Sequence, residues 1–447
     1  MSTPQTPSTG SSAGTIAGRT RIIHVDPHKV APSDIAVGVV IGRTSEHFDF
    51  FVFAIATVMV FPSVFFPFAS PVDGMLYAFT LFSLAFIARP FGAWIFRLIH
   101  DHYGRGVKLT TALFALGTAT AGIAFLPSYD SLGKAAIVLL ALFRIAQGVA
   151  VGGSWDGLPS LLALSAPEKK RGWYAMISQI SAPIGFILAA SLFAYLHGSL
   201  STADFLDWGW RYPFYVAFAI NVVALFARLR LVVTPEYTQI LKTRELEPAP
   251  LGDLLSTQKR NILSGAFASL ASYALFHLVT VFALGWAVLF TQQSVGNFLL
   301  IQIVGAVISI PCMMISGVVA DRIGRRNTLG IAAVLIAVYS GWTAVLLSGT
   351  TTGGYLFILI GFALLGFSYA QSAGAVNSRF PSAFRYSAAV ITSDMGWLIG
   401  AAFAPLVALE LTTHLGVGYV GIYLLSGAIG TLAALRVNLN LEIRGDI

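Results

Sequence analysis

Charged residues are scarce in this chain of 447 residues, where Asp, Glu, Lys and Arg together make up only 11%. An average soluble globular domain carries about 25%, so the scarcity argues against that class. Hydrophobic residues make up 56% of the chain, and the mean hydropathy is +0.78. These values predict an integral membrane protein.

Cysteine is almost absent, since Cys312 is the single one. One cysteine cannot form an intrachain disulfide, so cysteine usage does not indicate the redox compartment. His100 and His102 lie in one turn, but two possible ligands are a weak metal signal. We therefore expect no metal and no cofactor.

Nucleic-acid binding would be one explanation for the sequence pI of about 9.5. A nucleic-acid-binding protein collects its Lys and Arg residues in one patch or stripe. Here they lie in short breaks between apolar runs. We therefore expect no nucleic-acid partner.

Twelve apolar runs, each long enough to form a membrane-spanning helix of about 20 residues, follow one another along the chain. Their approximate bounds are 35–61, 74–98, 108–127, 133–155, 173–196, 212–233, 261–291, 296–319, 328–348, 354–376, 385–409 and 416–437. The longest break divides them into six and six. We predict a disordered cytoplasmic tail (1–33) without the apolar core of a signal peptide, an N-terminal six-helix bundle (34–233), a cytoplasmic linker (234–260), a C-terminal six-helix bundle (261–437) and a second cytoplasmic tail (438–447).

Lys and Arg residues alternate between the breaks in a way that predicts orientation. Basic residues recur in every second break and in both tails, whereas the other breaks hold little beyond Lys134 and Arg211. Cytoplasmic loops carry such an excess. Both termini are therefore predicted to be cytoplasmic.

Formal charge inside the first apolar run is concentrated between Arg43 and Phe53. Arg43, Glu46 and Asp49 are spaced by three residues, which places them within roughly 120° on a helix. Each charge at the centre of a spanning helix costs roughly 2.5–3.5 kcal/mol. We expect this arc to face a water-filled cavity, or to form an ion pair near the helix end, rather than to face lipid.

A D-x-x-G-R pattern occurs twice, after the second run and after the eighth. Glycine permits a tight turn, the Asp can accept hydrogen bonds from the amides at a helix N-terminus, and the Arg can pair across the loop. The repeat predicts a cytoplasmic gate formed by Asp101, Gly104, Arg105, Asp321, Arg322, Gly324 and Arg325.

These paired loops resemble the signature of the major facilitator superfamily. More narrowly, the chain is similar to the metabolite:proton symporter family through the stretches Glu46–Phe51, Ala88–Gly92, Arg144–Gly148, Val151–Gly153, Trp210–Phe214 and Phe380–Tyr386. The resemblance implies twelve transmembrane helices in two bundles and a central cavity lined by the first span.

The chain departs from the family pattern at several positions. The family usually has Trp at the position of His47, Arg at that of His102 and Glu at that of Ser154. Asp156 is a candidate replacement for the missing acid. Asp394, in the eleventh run, is not part of the usual pattern.

The resemblance also implies which polar residues share the cavity. Spans 1, 2 and 4 are neighbours in the family's fold, which brings Arg89, Arg144 and Gln147 near Glu46 and Asp49. The predicted proton-coupling residues are Glu46, Asp49 and Asp394. The predicted substrate-binding residues are Arg43, His47, Phe50, Arg89, Arg144, Gln147 and Tyr369, with a buried structural ion-pair cluster as the alternative for the arginines.

The sequence thus predicts a proton-coupled symporter, not an enzyme, that imports a small organic acid across the inner membrane by alternating access. Its expected partners are a small-molecule substrate, a proton and membrane lipid, and a monomer is expected. A zwitterion such as betaine or proline, or export by proton antiport, are the alternatives.

Overall fold

The computed structural model describes residues 32–154, 159, 162, 166–232, 249, 251–372, 380–381 and 384–437. Every regular element in these residues is a helix. We call the part before residue 233 the N-terminal half. Its helices are α1 Pro32–Met59, α2 Phe61–Phe65, α3 Pro71–Ala124, α4 Tyr129–Leu132, α5 Lys134–Gly153, α6 Arg171–Ile177, α7 Ser181–Ser199, α8 Thr202–Asp207 and α9 Tyr212–Val232.

The C-terminal half is also helical. Its helices are α10 Leu251–Ala268, α11 Leu270–His277, α12 Ala283–Phe290, α13 Val295–Ile323, α14 Arg325–Leu346, α15 Thr351–Tyr369, α16 Arg385–Trp397, α17 Ala404–His414 and α18 Gly418–Val437. The π-helical turns Leu278–Phe282 and Leu398–Ala402 join α11 to α12 and α16 to α17.

Nine helical stretches among the described residues are long and apolar enough to cross a membrane. The prediction of an all-α integral membrane protein is therefore confirmed. The number of twelve spans and the cytoplasmic position of the termini stay predictions, and the two tails lie outside the described residues. We call the end of the molecule that contains Gly104 and Gly324 the predicted cytoplasmic end.

The two D-x-x-G-R loops have the same backbone geometry at their glycines. Gly104 bends α3 with φ 82° and ψ 175°, and Gly324 separates α13 from α14 with φ 85° and ψ 153°. Only glycine readily adopts this combination of angles. The repeat seen in the sequence is therefore also a repeat of the fold.

Helices α3 and α5 approach each other closely because glycines line their contact. A side chain at Gly148 would collide with the backbone of Ala85, and one at Gly152 with the backbone of Arg89. Small residues permit such backbone contact between membrane helices. The contact positions Arg89 on α3 beside the face of α5 that carries Arg144.

The halves touch along several helices. Helix α13 packs on α6 and α7, α16 packs on α3, and α1 packs on α12. Between them lies a cluster of aromatic rings that includes Phe50, Phe86, His277 and Trp397. This cluster lies next to the cavity described below.

The structure describes only part of the predicted linker, since residues 234–248 and 250 lie outside the described residues. Helix α10 begins at Leu251, within the stretch predicted as linker. The division into two bundles at residues 233 and 261 stays a prediction.

Candidate functional site

A cavity lies between the two halves. Its volume is about 70 Å³, and the empty space including its open mouth is about 640 Å³. Helices α1, α3, α5 and α16 supply its lining, which comprises Arg43, Glu46, His47, Asp49, Phe50, Ala85, Phe86, Arg89, Arg144, Gln147, Gly148, Val151 and Trp397. All predicted proton-coupling and substrate-binding residues except Tyr369 and Asp394 are in this lining.

The Asp49 carboxylate is only 4% exposed and accepts hydrogen bonds from three helices. Thr120 Oγ1 on α3 donates to Oδ1 at 2.6 Å, and Asn221 Nδ2 on α9 donates to the same oxygen at 3.3 Å. Gln147 Nε2 on α5 donates to Oδ2 at 3.4 Å. These donors replace the water that a buried carboxylate loses.

Arg144 is 2% exposed, and its guanidinium binds a backbone carbonyl and a side-chain amide rather than a carboxylate. Its Nε and Nη2 each donate to the carbonyl oxygen of Phe82 at 3.3 Å, and Nη1 donates to Gln147 Oε1 at 3.1 Å. The guanidinium carbon lies 3.8 Å from the centre of the Phe53 ring. Stacking on an aromatic ring suits a planar buried cation.

Arg43 and Glu46 form the ion pair predicted from their spacing, with 3.5 Å between Nη1 and Oε2. Ser154 Oγ, where the family usually has Glu, donates to Glu46 Oε1 at 2.9 Å. The serine thus binds an acid instead of supplying one. Asp156, the candidate replacement, lies outside the described residues.

Arg89 of the N-terminal half meets Asp394 of the C-terminal half across the cavity edge. The distance from Arg89 Nε to Asp394 Oδ1 is 3.2 Å. Asp394 is 5% exposed, and its Oδ2 has no hydrogen-bond partner. The acid that departs from the family pattern is therefore part of an ion pair that bridges the halves.

Aromatic rings close the cavity on the side of the C-terminal half. Phe50 stacks on His277 with 5.5 Å between ring centres, and Phe86 stacks on Trp397 at 6.1 Å. His277 Nδ1 donates to the carbonyl oxygen of Ala401 at 2.6 Å. The histidine packs within the aromatic cluster, as expected for a structural residue.

Two predicted substrate residues have other surroundings. His47 lines the cavity, but its Nδ1 donates to the backbone oxygen of Arg43 at 2.8 Å. Tyr369 is buried outside the cavity and lines a separate small apolar space together with Phe51 and Phe276. A direct contact of Tyr369 with substrate therefore has no support in this arrangement.

The second gate loop connects the halves at the predicted cytoplasmic end. Asp321 Oδ1 accepts hydrogen bonds from the backbone amides of Gly172 at 2.7 Å and Trp173 at 3.3 Å, at the start of α6. Arg325 Nη2 donates to the carbonyl oxygen of Arg171 at 3.1 Å. These contacts have the form expected of a latch.

The first gate loop is arranged differently. Asp101 is paired with Arg97 one turn earlier in α3, at 3.5 Å, and both Asp101 and Gly104 are exposed, as is Arg322 in the second loop. Arg105 is partly buried. Asp101 thus bonds within its own helix, whereas Asp321 bonds across the halves.

Sequence reasoning missed Thr120 and Asn221, which bind Asp49. Each is an isolated polar residue in an apolar run, and such residues often only back-bond to their own helix. Their convergence on one carboxylate follows from the packing of α1, α3 and α9. Trp397, which was not among the predicted site residues, lines the cavity.

No group of three His, Cys, Asp or Glu side chains suited to a metal occurs within the described parts of the chain. Three guanidinium groups, of Arg43, Arg89 and Arg144, and the carboxylates of Glu46 and Asp49 line the cavity. Asp394 at the cavity edge supplies a third carboxylate. Together these formal charges balance.

The fold and this charged cavity define the class of protein. The model of the Major Facilitator Superfamily matches residues 131–405. The chain belongs to the major facilitator superfamily, and it is a multi-pass membrane transporter rather than an enzyme.

Named relatives agree with this class. The chain is 34% identical to the inner membrane metabolite transport protein YhjE of Escherichia coli K12. The alignment spans 407 residues and covers 90% of this chain and 92% of that protein. The chain is 29% identical over 410 residues to the shikimate transporter of the same strain, covering 88% and 91%. The predicted localisation in the cell membrane is confirmed.

Solved structures share the fold. The crystal structure of the D-xylose-proton symporter superposes with a TM-score of 0.70 at 20% identity, over 90% of this chain and 96% of that one. At this level of identity the likeness concerns the fold alone.

Proposed function

We propose that this transporter is a proton-coupled symporter that imports a small organic acid by alternating access. The observation that carries the proposal is the charge balance of the cavity and its edge. Arg43, Arg89 and Arg144 offer bidentate donors suited to a carboxylate. Arg43 is paired with Glu46 and Arg89 with Asp394, whereas Arg144 binds the Phe82 carbonyl and Gln147. A substrate anion that binds Arg43 or Arg89 must therefore displace a carboxylate.

A proton restores the balance when the anion binds. A carboxylate that enters this site, where the three arginines balance Glu46, Asp49 and Asp394, leaves one negative charge uncompensated once the halves close. Leaving a buried charge without its partner costs about 3–5 kcal/mol. A proton on Glu46, Asp49 or Asp394 removes this cost, which couples the two fluxes.

Contacts between the halves on both sides of the cavity support alternating access. On the predicted cytoplasmic side, Asp321 binds the amides of α6. On the other side, Gly285 of α12 packs near Phe79 and Met75 of α3. Rocking of the halves would open one set of contacts while the other holds.

A zwitterion such as betaine is the second candidate substrate. Phe50, Phe86 and Trp397 line the cavity close to Glu46, and aromatic faces bind quaternary ammonium groups. Proline/betaine transporters are among the named relatives, with 27% identity over 374 residues for that of E. coli K12.

Uptake into proteoliposomes tests both candidates. The panel comprises lactate, benzoate, shikimate, succinate, citrate and glycine betaine, each with and without a protonophore. We expect a carboxylate to accumulate only with an inward proton gradient. If a protonophore leaves the accumulation of every compound unchanged, transport is not proton-coupled. If only glycine betaine accumulates, the zwitterion is favoured as substrate.

Acid-to-amide variants then identify the coupling acid. Asp49→Asn, Glu46→Gln and Asp394→Asn are compared with Asp130→Asn, the same kind of change at an exposed residue of α4. A coupling acid is one whose variant still exchanges substrate but no longer accumulates it. If all three variants accumulate like wild type, none of these acids carries the proton.

A further inference from the structure

Arg89 and Asp394 form a buried contact that the family pattern does not anticipate. Arg89 lines the cavity on α3, whereas Asp394 lies on α16 of the other half, 3.2 Å away. The side chains are 19% and 6% exposed. Closure of the halves at this point thus buries two opposite charges together.

Few other charged groups act on Asp394. Arg43 of α1 reaches it electrostatically in addition to Arg89. Tyr273 of α11 contacts the neighbouring Trp397 ring at 4.7 Å. Further along the same helices, Lys108 of α3 donates to the hydroxyl of Tyr386 on α16 at 3.0 Å.

Helix α10 also packs on α16, and its charged residues lie on the surface of the protein. Asp253, Lys259 and Arg260 are all exposed. The compensation of Asp394 within the protein therefore depends on the two arginines, and Arg89 is the one in contact.

We infer that the Arg89–Asp394 pair is a binding site for one carboxylate and one proton together, and that it prevents closure when only one of them is bound. This inference rests on the proposed symport. It assigns the carboxylate of the substrate to Arg89 and the transported proton to Asp394.

Three loading states follow from charge. In the empty protein, Arg89 and Asp394 neutralise each other and the halves can close. When only a carboxylate is bound, it pairs with Arg89 and leaves the charge of Asp394 uncompensated. When only a proton is bound, it neutralises Asp394 and leaves the charge of Arg89 uncompensated. Either half-loaded state is held open because water must hydrate the remaining charge.

The fully loaded state can close again. The carboxylate compensates Arg89, and the protonated Asp394 is neutral and can donate a hydrogen bond. No bond is formed or broken other than the O–H bond of Asp394, whose proton comes from one side of the membrane and leaves to the other. Only empty and fully loaded proteins then change sides, which is the condition for symport without leak.

Arg89→Gln tests the inference without any substrate. In this variant the ionised Asp394 has no charged partner in contact and holds the halves open, whereas the protonated Asp394 is neutral and lets them close. Wild type without substrate should respond in the opposite way, because protonation of Asp394 leaves Arg89 uncompensated. Double electron–electron resonance between spin labels on the two halves measures the closed population as the pH is lowered. We expect acidification to raise the closed population of Arg89→Gln and to lower that of wild type.

Two variants serve as controls in the same assay. Arg89→Gln combined with Asp394→Asn removes both charges, and its closed population is expected not to change with pH. Tyr386→Phe removes the hydrogen bond from Lys108 across the same interface without changing charge, and is expected to respond to pH as wild type does. A pH response of the double variant equal to that of Arg89→Gln, or a response of Arg89→Gln in the same direction as that of wild type, would overturn the inference.

Asp394→Asn gives an independent result if Arg89→Gln does not fold. We expect it to exchange the carboxylate that wild type takes up best across the membrane, with no accumulation and no proton flux, because only the carboxylate-loaded variant can close. If wild type is proton-coupled and Asp394→Asn still accumulates, the inference fails while the proposed function stands. If wild type uptake ignores the protonophore, the proposed function fails.

Discussion

The amide of Gln147 joins Arg144 to Asp49. Its oxygen accepts a hydrogen bond from Arg144 Nη1 at 3.1 Å, and its nitrogen donates to Asp49 Oδ2 at 3.4 Å. The nitrogen also donates to Thr120 Oγ1 at 2.9 Å. A neutral side chain thereby connects the buried cation with the buried acid, and any change of charge at one of them alters the hydrogen bonds of the other.

Replacement of Gln147 by Leu should disconnect these two groups. Asp49 loses a donor and Arg144 loses an acceptor, and each buried unsatisfied group costs about 1–3 kcal/mol. We expect uptake at limiting substrate to fall by about tenfold or more. Initial uptake rates in proteoliposomes measure this.

Gln302→Leu is the matched control. Gln302 is equally buried but binds the carbonyl oxygens of Val279 and Thr280, away from the cavity. Like Gln147→Leu, Gln302→Leu should lower the melting temperature, but it should reduce uptake per folded molecule less than Gln147→Leu does. Equal losses of uptake for the two variants would assign Gln147 a purely structural role.

Thr120 should matter through its hydroxyl and not through its size. Thr120→Val keeps the shape but removes the 2.6 Å hydrogen bond to Asp49, and hydrogen bonds to charged groups contribute about 1.5–3 kcal/mol. We expect concentrative uptake to be lost in large part, and Thr120→Ser to restore it. A Thr120→Val protein with a wild-type accumulation ratio would contradict this role.

The two gate loops should respond unequally to the same change. Asp321→Asn weakens the hydrogen bonds from the amides of Gly172 and Trp173 across the halves, since a carboxylate binds amides more strongly than a neutral oxygen does. Asp101→Asn affects only a contact to Arg97 in the same helix. We expect Asp321→Asn to reduce transport clearly and Asp101→Asn to reduce it little.

Double electron–electron resonance can test whether reduced transport comes from separation of the halves. It measures distances between spin labels placed on the two halves at the predicted cytoplasmic end. Asp321→Asn should increase the population with separated halves. Equal label distances in both variants and in wild type would show that Asp321 does not hold the halves together.

Gly148→Ala should destabilise the protein although alanine favours helices. Its methyl group would collide with the backbone of Ala85, and such overpacking costs typically about 1–3 kcal/mol. Gly341→Ala is the control, because no atom lies within 4 Å of an added side chain there, and it should be neutral or slightly stabilising. Thermal unfolding of the purified proteins in detergent distinguishes them, and equal melting temperatures would refute the close contact of α3 and α5.

Several elements of the site could be predicted from residue spacing. Arg43 and Glu46 pair because residues three apart share a helix face, and Gln147 meets Arg144 for the same reason. The two loop glycines were found because the same pattern recurs in each half. Such local relationships depend on helix geometry alone.

Contacts between distant segments were beyond this reasoning. Nothing in the order of residues indicates that Asp394 meets Arg89, or that Thr120 and Asn221 converge on Asp49, because many helix arrangements bury the same apolar faces. For the same reason, Tyr369 was expected at the cavity and lies outside it.

By itself, the sequence determined that this is a helical membrane protein, because its composition is too apolar for a soluble domain. It also determined that several charges share one helix face and cannot face lipid, because helical periodicity places them together and lipid does not solvate them. Only the tertiary structure decided which charge neutralises which. A buried ion pair requires atoms within a few ångströms of each other, and for residues far apart in the chain, only the packing of helices brings about such distances.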